Sequence, residues 1–319
     1  MTQAPTSIFN LKNTFSKSVP DGSRRLAWDG ISFCVPTNWE ITSYTDKRRG
    51  IRRVEIENEY SMRLEAEWVY NQQAVQLDKI MKNYEEASKE LTLHADSRKA
   101  IGNLPNHWSA THFVFKETST DTDKTLKVFS HELATIFYNC PQNSIFCYFI
   151  LHFLPESSED PVELTQKLTN SFENHNNANG SIPWQLFDAQ FKLPQRFKLL
   201  KTTFDIGSKL MIYEWKMRRF FIWHFSCADM FLKNGITPER WVLGLLKAFK
   251  SVRGIKYFSN DPGQITWKRK RLHPIGHFDE MIRLCYQYKI GFHINKENNQ
   301  LVVWLYHYRG KKDCDGLFS

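Results

Sequence analysis

Two ten-residue stretches constrain this chain more than anything else in it. EYSMRLEAEW (Glu59–Trp68) and EWKMRRFFIW (Glu214–Trp223) share Glu, Met, Arg and Trp at the same positions, and Tyr60 is matched by the aromatic Trp215. A second pair stands upstream. ISFCVPTNWE places Phe33, Pro36 and Trp39 at steps of three, and AQFKLPQRFK does the same with Phe191, Pro194 and Phe197. The upstream pair is 158 residues apart and the decamers 155, so one loss of three residues reconciles them. Two ordered matches at nearly equal offset point to one structural unit used twice.

Local patterns extend the pairing. RRVEIEN and KLMIYEW both alternate with period two, as half-buried strands do. A helix is expected after each decamer. In the first half Leu77, Ile80, Met81, Tyr84 and Leu91 form its apolar stripe. In the second, Thr237 is the N-cap, Pro238 occupies the first turn, and Trp241, Leu245, Ala248, Phe249 and Val252 make the face. Strands follow again: ATHFVFKE, LKVFSHELATIFY and SIFCYFILHF, then QITWKRKRL, MIRLCYQYKIGFHI and LVVWLYHY. The first half closes with a helix capped by Asp160 and carrying Leu164, Leu168 and Phe172 on one side. The reading is therefore α+β, with two tandem, internally duplicated domains, each an antiparallel sheet packed with helices. Its boundaries are a loose arm at 1–22, a first unit at 23–175, an Asn-rich linker at 176–181, a second unit at 182–310 and a polar tail at 311–319.

The opening GISFCVPTNWE and the order of elements resemble the Mog1/PsbP-like fold family, in which an early strand commonly runs Phe-x-x-Pro-x-x-Trp. Phe33, Pro36 and Trp39 match that run, and Phe197 departs from it at the last position of the second copy. The resemblance implies small binding or assembly factors rather than enzymes.

Composition permits two cores: 41% of the 319 residues are hydrophobic and 14% aromatic. No run of eighteen apolar residues is present, so no membrane span is expected. The first residues lack a basic head followed by an apolar stretch, and a cytoplasmic location is expected. The six cysteines form no CxxC pair and mostly sit in apolar runs, which suits reduced thiols, with Cys314 expected to be exposed.

Motifs for nucleotide phosphates and hydrolytic nucleophiles are missing, so neither a cofactor nor catalysis is expected. His273 and His277, with Cys285 or Asp279, are weighed as zinc ligands, but Pro274 and Gly276 between them speak for a loop. His131 and Glu132 are adjacent on a strand and should face opposite ways, which favours separate hydrogen bonds over an acid–base pair. Glu65 and Glu67 share one strand face about 7 Å apart, a spacing that glycosidases use. The decamer alignment sets them against Phe220 and Ile222, and a solvated sheet face accounts for them without catalysis.

The net charge of +9 favours an anionic partner. Two clusters are candidate nucleic-acid contacts: Lys47 to Arg53, with Arg48, Arg49, Arg52 and Arg53, and Trp267 followed by Lys268, Arg269, Lys270 and Arg271. WKMRR adds Lys216, Arg218 and Arg219. The run Phe220, Phe221, Ile222, Trp223 is apolar on both sides of its strand and is a candidate interface, with Phe220, Phe221 and Trp223 as its contacts. The leading expectation is a non-enzymatic protein-interaction or assembly module. Nucleic-acid binding through the basic clusters is the alternative.

Overall fold

The computed structural model describes residues 14–47, 50–70, 74–120, 126–140, 145–154, 159–176, 180–186, 189–233, 236–248, 264–268, 282–314 and 317. The chain divides into two compact units, one spanning Phe15–Asn177 and the other containing Ala178–Ser319.

In the first unit β1 (Ser23–Trp28) and β2 (Ile31–Pro36) form a hairpin. Then come β3 (Glu40–Lys47), β4 (Ile51–Glu57), β5 (Met62–Tyr70), the helix α1 (Ala74–His94), β6 (Ser97–Ala100), β7 (Trp108–Thr120), β8 (Leu126–Cys140) and β9 (Ile145–Phe153). Helix α2 (Pro161–Ser171) and the short β10 (Glu173–Asn174) close it. The main sheet is antiparallel in the order β3-β4-β5-β9-β8-β7-β6, and β1-β2-β10 form a separate small sheet.

The second unit runs β11 (Ser181–Leu186), β12 (Ala189–Pro194), β13 (Lys198–Asp205), β14 (Ser208–Trp215), β15 (Arg218–Ser226), α3 (Ala228–Phe231), α4 (Pro238–Ala248), β16 (Gln264–Lys268), β17 (Gln287–Asn295) and β18 (Gln300–Tyr308). Its main sheet is ordered β13-β14-β15-β18-β17-β16, beside a two-stranded β11-β12 hairpin. Among the described residues this repeats the strand order of the first unit apart from β6 and β10, which have no counterpart. Small details repeat as well. Trp39 and Phe197 each donate a backbone N–H to the carbonyl of the proline three residues before, and both are buried. The register shifts after Ile41 and after Leu199 interrupt the two edge strands at corresponding places.

The α+β class is corrected here: the fold is predominantly β. Strand takes up 55% of the described residues and helix 20%. The reason lies in what covers the sheets. On one face of the first main sheet sit β1 and β2, where Phe33 meets Phe149, together with α2, whose C-cap Phe172 packs on Trp108, Tyr138 and Phe149. In the second unit Trp184 and Phe191 of the β11–β12 hairpin cover Tyr213. The strands that include both Phe-x-x-Pro stretches thus form a layer of their own, where a reading from periodicity assigns them to the main sheet. Only the opposite face of each sheet is left to a post-decamer helix.

The helix ends follow local chemistry. Asp160 accepts from the Val162 N–H at 2.9 Å, and Thr237 Oγ1 accepts from the Arg240 N–H at 3.3 Å. In α4 the buried line is Val242 and Leu246, with Trp241 and Leu245 packing beside it. Ile282 to Cys285, expected in a strand, precede β17, and Cys285 is buried. Lys311–Cys314 of the tail form a short helix, α5, in which Asp313 accepts two hydrogen bonds from Arg218. Among the described residues no helix is long and apolar enough to cross a membrane, which leaves strands unaddressed.

A buried polar lock holds the start of the first unit. Glu173 accepts from the backbone N–H groups of Ser16 and Lys17 and pairs with Arg25. The Lys17 ammonium caps the α2 carbonyls of Asn170 and Phe172 at 2.6 and 2.8 Å. His175 Nε2 lies 2.7 Å from Ser32 Oγ. Burial, opposed by Glu173 and helped by Arg25, pushes the His175 pKa down to about 4.

The unfolded chain takes up a proton at His175 below about pH 6.5, whereas the folded chain resists until about pH 4. Stability of the first unit is therefore full above that window and falls as pH drops through it, by roughly 3 kcal/mol at most. Urea unfolding between pH 7 and 4 should show this loss, and His175→Gln, which cannot titrate, should flatten it.

Candidate functional site

Corresponding positions on the helix-side faces of the two sheets carry opposite chemistry. In the second unit this face holds Leu210, Ile212, Phe221 and Trp223, packed in one core with Val242 and Leu246 of α4. Strand pairing identifies their counterparts. Leu210 pairs with Trp223 and Ile212 with Phe221, as Arg53 pairs with Glu67 and Glu55 with Glu65. The four apolar positions of one unit are thus Arg53, Glu55, Glu65 and Glu67 in the other.

The charged set is a connected network. Arg53 forms ion pairs with Glu55 at 2.8 Å, with Glu67 at 3.2 Å, and with Glu65. Burial works against its charge, but Glu65, Glu67 and Glu55 outweigh it and hold the guanidinium above its ordinary pKa. Ser43 Oγ donates to Glu55 at 2.6 Å, and Tyr84 of α1 donates to Glu67. Burial and then that hydrogen bond push the Tyr84 phenol well up. Tyr148 is also pushed up, by burial and by Glu65 and Glu67. His152 of β9 places Nε2 2.9 Å from Glu65 Oε1, and His131 stacks parallel on His152 with ring centres 6.0 Å apart. Among the described residues the set carries three carboxylates to one guanidinium, and the side chains of Glu65, Arg53 and Glu55 are 20%, 25% and 28% accessible. It is a negative, partly open shelf on a basic chain. Chemically it can accept hydrogen bonds from, and pair with, cationic groups.

His131 and Glu132 do point to opposite faces: Glu132 meets His112 at 2.9 Å while His131 stacks on His152. The aligned decamers mislead by one residue. Strand pairing sets Glu57 against Glu214 and Met62 against Arg219, two places from the decamer match, and the extra residue of β5 at Arg63 brings the difference down to one, so the counterparts of Glu65 and Glu67 are Phe221 and Trp223, not Phe220 and Ile222. The identical Trp68 and Trp223 lie on opposite faces. Sequence reading missed His152 and Tyr84. A signal for the first exists: FILHF in β9 and WLYHY in β18 put His152 and His307 at equivalent places, each opposite Leu133 or Tyr288.

The other candidates are scattered. Arg52 points away from Arg53, pairs with Asp29 and lies over the Tyr70 ring at 5.1 Å, so these two described members of the first basic cluster do not share one surface. Arg48, Arg49, Arg269, Lys270 and Arg271 lie outside the described residues, as do His273, His277 and Asp279. Trp267 and Lys268 are on the edge strand β16, opposite Tyr288 and Gln287, and their side chains are outside the description too, as is that of Cys314. In WKMRR, Arg218 pairs with Asp313 and Arg219 with Glu214. Phe220 is buried against Tyr213, Trp304 and Tyr306, and Phe221 and Trp223 lie in the α4 core, so their apolar surface is matched within the second unit. Among the described residues no group of His, Cys, Asp or Glu is arranged to hold a metal ion. Compared with known proteins, the chain matches no family model and no curated sequence.

Arg53→Met leaves three neighbouring carboxylates without their counter-charge and should cost about 2 kcal/mol in urea unfolding. Adding Glu65→Gln and Glu67→Gln to Arg53→Met should recover part of that loss. An unchanged midpoint in Arg53→Met would show that the network contributes nothing.

Proposed function

We propose that the protein is a non-enzymatic interaction module, a component of a larger assembly, that takes a Lys- and Arg-rich segment of a partner protein on the helix-side face of its first unit. One observation carries this reading. At the four sheet positions where the second unit places Leu210, Ile212, Phe221 and Trp223, the first places Arg53, Glu55, Glu65 and Glu67. Packing alone favours the apolar set, since partly buried carboxylates give up hydration that only good pairing offsets. Among the described residues three carboxylates gather around one guanidinium, and such an acidic face is complementary to the cationic side chains of a partner.

A kinship of each unit with Mog1/PsbP-like assembly factors is part of the proposal. It is supported by the Phe-x-x-Pro stretches and by the strand order that both units share. A reducing, cytoplasmic setting fits Cys34, Cys147, Cys227 and Cys285, which are free thiols.

The overall charge of +9 repels a polycation, so binding of one reports on a local site rather than on the whole surface. A fluorescein-labelled nona-arginine peptide should bind saturably in anisotropy measurements at low salt, and weaken as salt screens the contact. Glu55→Gln with Glu65→Gln should lower the affinity about tenfold. Failure of the peptide to bind, together with failure of the full chain to retain any protein from its native lysate, would sink the proposal.

A further inference from the structure

Helix α1 touches its sheet at one end and stands off at the other. Ile80, Met81 and Tyr84 pack on Val69, Phe146 and Tyr148. One turn further on, Glu85, Ser88 and Lys89 face the sheet across a groove of about 370 Å³. The sheet side of that groove offers Ser109 and Thr111 of β7 and Asn139 of β8, with Phe137 and Phe146 as apolar floor and His107 at the rim. In the corresponding helix of the second unit, Val242 and Leu246 of α4 are buried in the core.

The polar groups of this groove are unengaged. Among the described residues, the side chains of Glu85, Ser88 and Lys89 on one wall and Ser109, Thr111 and Asn139 on the other have no hydrogen-bond or ion-pair partner in the protein. A second observation lies beside them in the sheet. Thr135, directly opposite Thr111 on β8 and on the same sheet face, is fully buried, and its Oγ1 has no partner. Folded proteins rarely leave a buried hydroxyl unsatisfied, because its lost hydration is then uncompensated.

The chemistry of the walls selects the ligand. Hydroxyls and a carboxamide, which both donate and accept, suit a molecule dense in groups of the same dual character. Glu85 and Lys89 add a charge-assisted acceptor and donor to the same space, so a ligand of one strong charge meets a like charge whichever sign it bears. Phe137 is only half-buried, and its ring face can take polarised C–H groups. The volume lies at the lower end for small-molecule sites. From these features we propose that the groove between α1 and β7–β8 binds a neutral carbohydrate of one or two rings, its C–H face on Phe137 and its hydroxyls on Asn139, Ser109, Thr111 and the α1 side chains. This site is separate from the acidic shelf and does not depend on its function.

Saturation-transfer NMR and calorimetry on the full chain, with D-glucose, N-acetyl-D-glucosamine and maltose at millimolar concentration, test the proposal. Saturable binding of at least one is expected. Ser109→Trp, which fills the groove from an exposed position, should abolish it. Asn139→Leu and Phe137→Leu should each weaken it about tenfold. Lys82→Ala, on the exposed side of α1, should leave it unchanged, and circular dichroism would verify that each variant folds. No binding by any of the three sugars, or binding that survives Ser109→Trp in a folded protein, overturns the proposal. Binding of free amino acids in place of sugars overturns the ligand class.

Discussion

An antiparallel sheet whose central strands are apolar on both faces must be covered twice, and the rest of this structure follows from meeting that demand. In the first unit β9 alternates Cys147, Phe149 and Leu151 with Phe146 and Tyr148, and all are buried. In the second, β18 buries both alternating sets from Leu301 to Tyr308. Each large side chain removed from water contributes about 1.5–3 kcal/mol, far more than any surface pairing in the chain. One layer cannot satisfy both faces. The β1–β2 and β11–β12 hairpins cover one of them, and α1 or α4 the other. The Phe-x-x-Pro stretches anchor the hairpin layers: Phe33 and Phe191 are buried there, and the chain then turns into the main sheet at the buried Trp39 and Phe197.

Much of this was legible in the chain. Period-two alternation located β4 and β14, Asp160 and Thr237 marked helix starts, and the paired Phe-x-x-Pro stretches marked corresponding hairpins. What could not be read was the partner of each strand. Alternation says that a residue faces one side or the other, but a single extra residue exchanges the sides. The bulge at Arg63 is such a residue, and the decamer identities do not survive the pairing: Met62 corresponds to Arg219 rather than Met217, and Trp68 to His224 rather than Trp223. Arg63 itself pairs with Glu159 and lies over the Trp39 ring, whereas Arg218 pairs with Asp313. The fold class failed for a related reason. Local patterns cannot distinguish a strand that joins the main sheet from one that is laid across it.

The candidate site was less legible than the fold. Glu65 and Glu67 read as a solvated face, and Arg53 as one charge in a run of basic residues. Only the pairing of β4 with β5 puts the guanidinium among the carboxylates, and only the pairing of β5 with β9 brings His152 to Glu65. Arg52 and Arg53 are separated by the same geometry. Neighbours on a strand face opposite sides, so Arg52 and Arg53 find separate acidic partners, and charge adjacent in sequence is not a patch in space.

The division between the two faces explains where this fold can vary. The hairpin side holds the tightly packed aromatics of both units, and there a polar substitution would be buried with nothing to pair. The helix side has two states on the same topology. Among the described residues, α4 sets Val242 and Leu246 into an apolar face, whereas α1 is pinned by Ile80, Met81 and Tyr84. Partial closure leaves polar side chains in reach of solvent on either side of the pin. The acidic shelf lies on the strands of one flank and the unengaged hydroxyls on those of the other. The opposite face and the pin supply the apolar burial of the unit, so neither patch has to be apolar. A sheet covered securely from one side can expose chemistry on the other, and in this chain only the first unit does so at these positions.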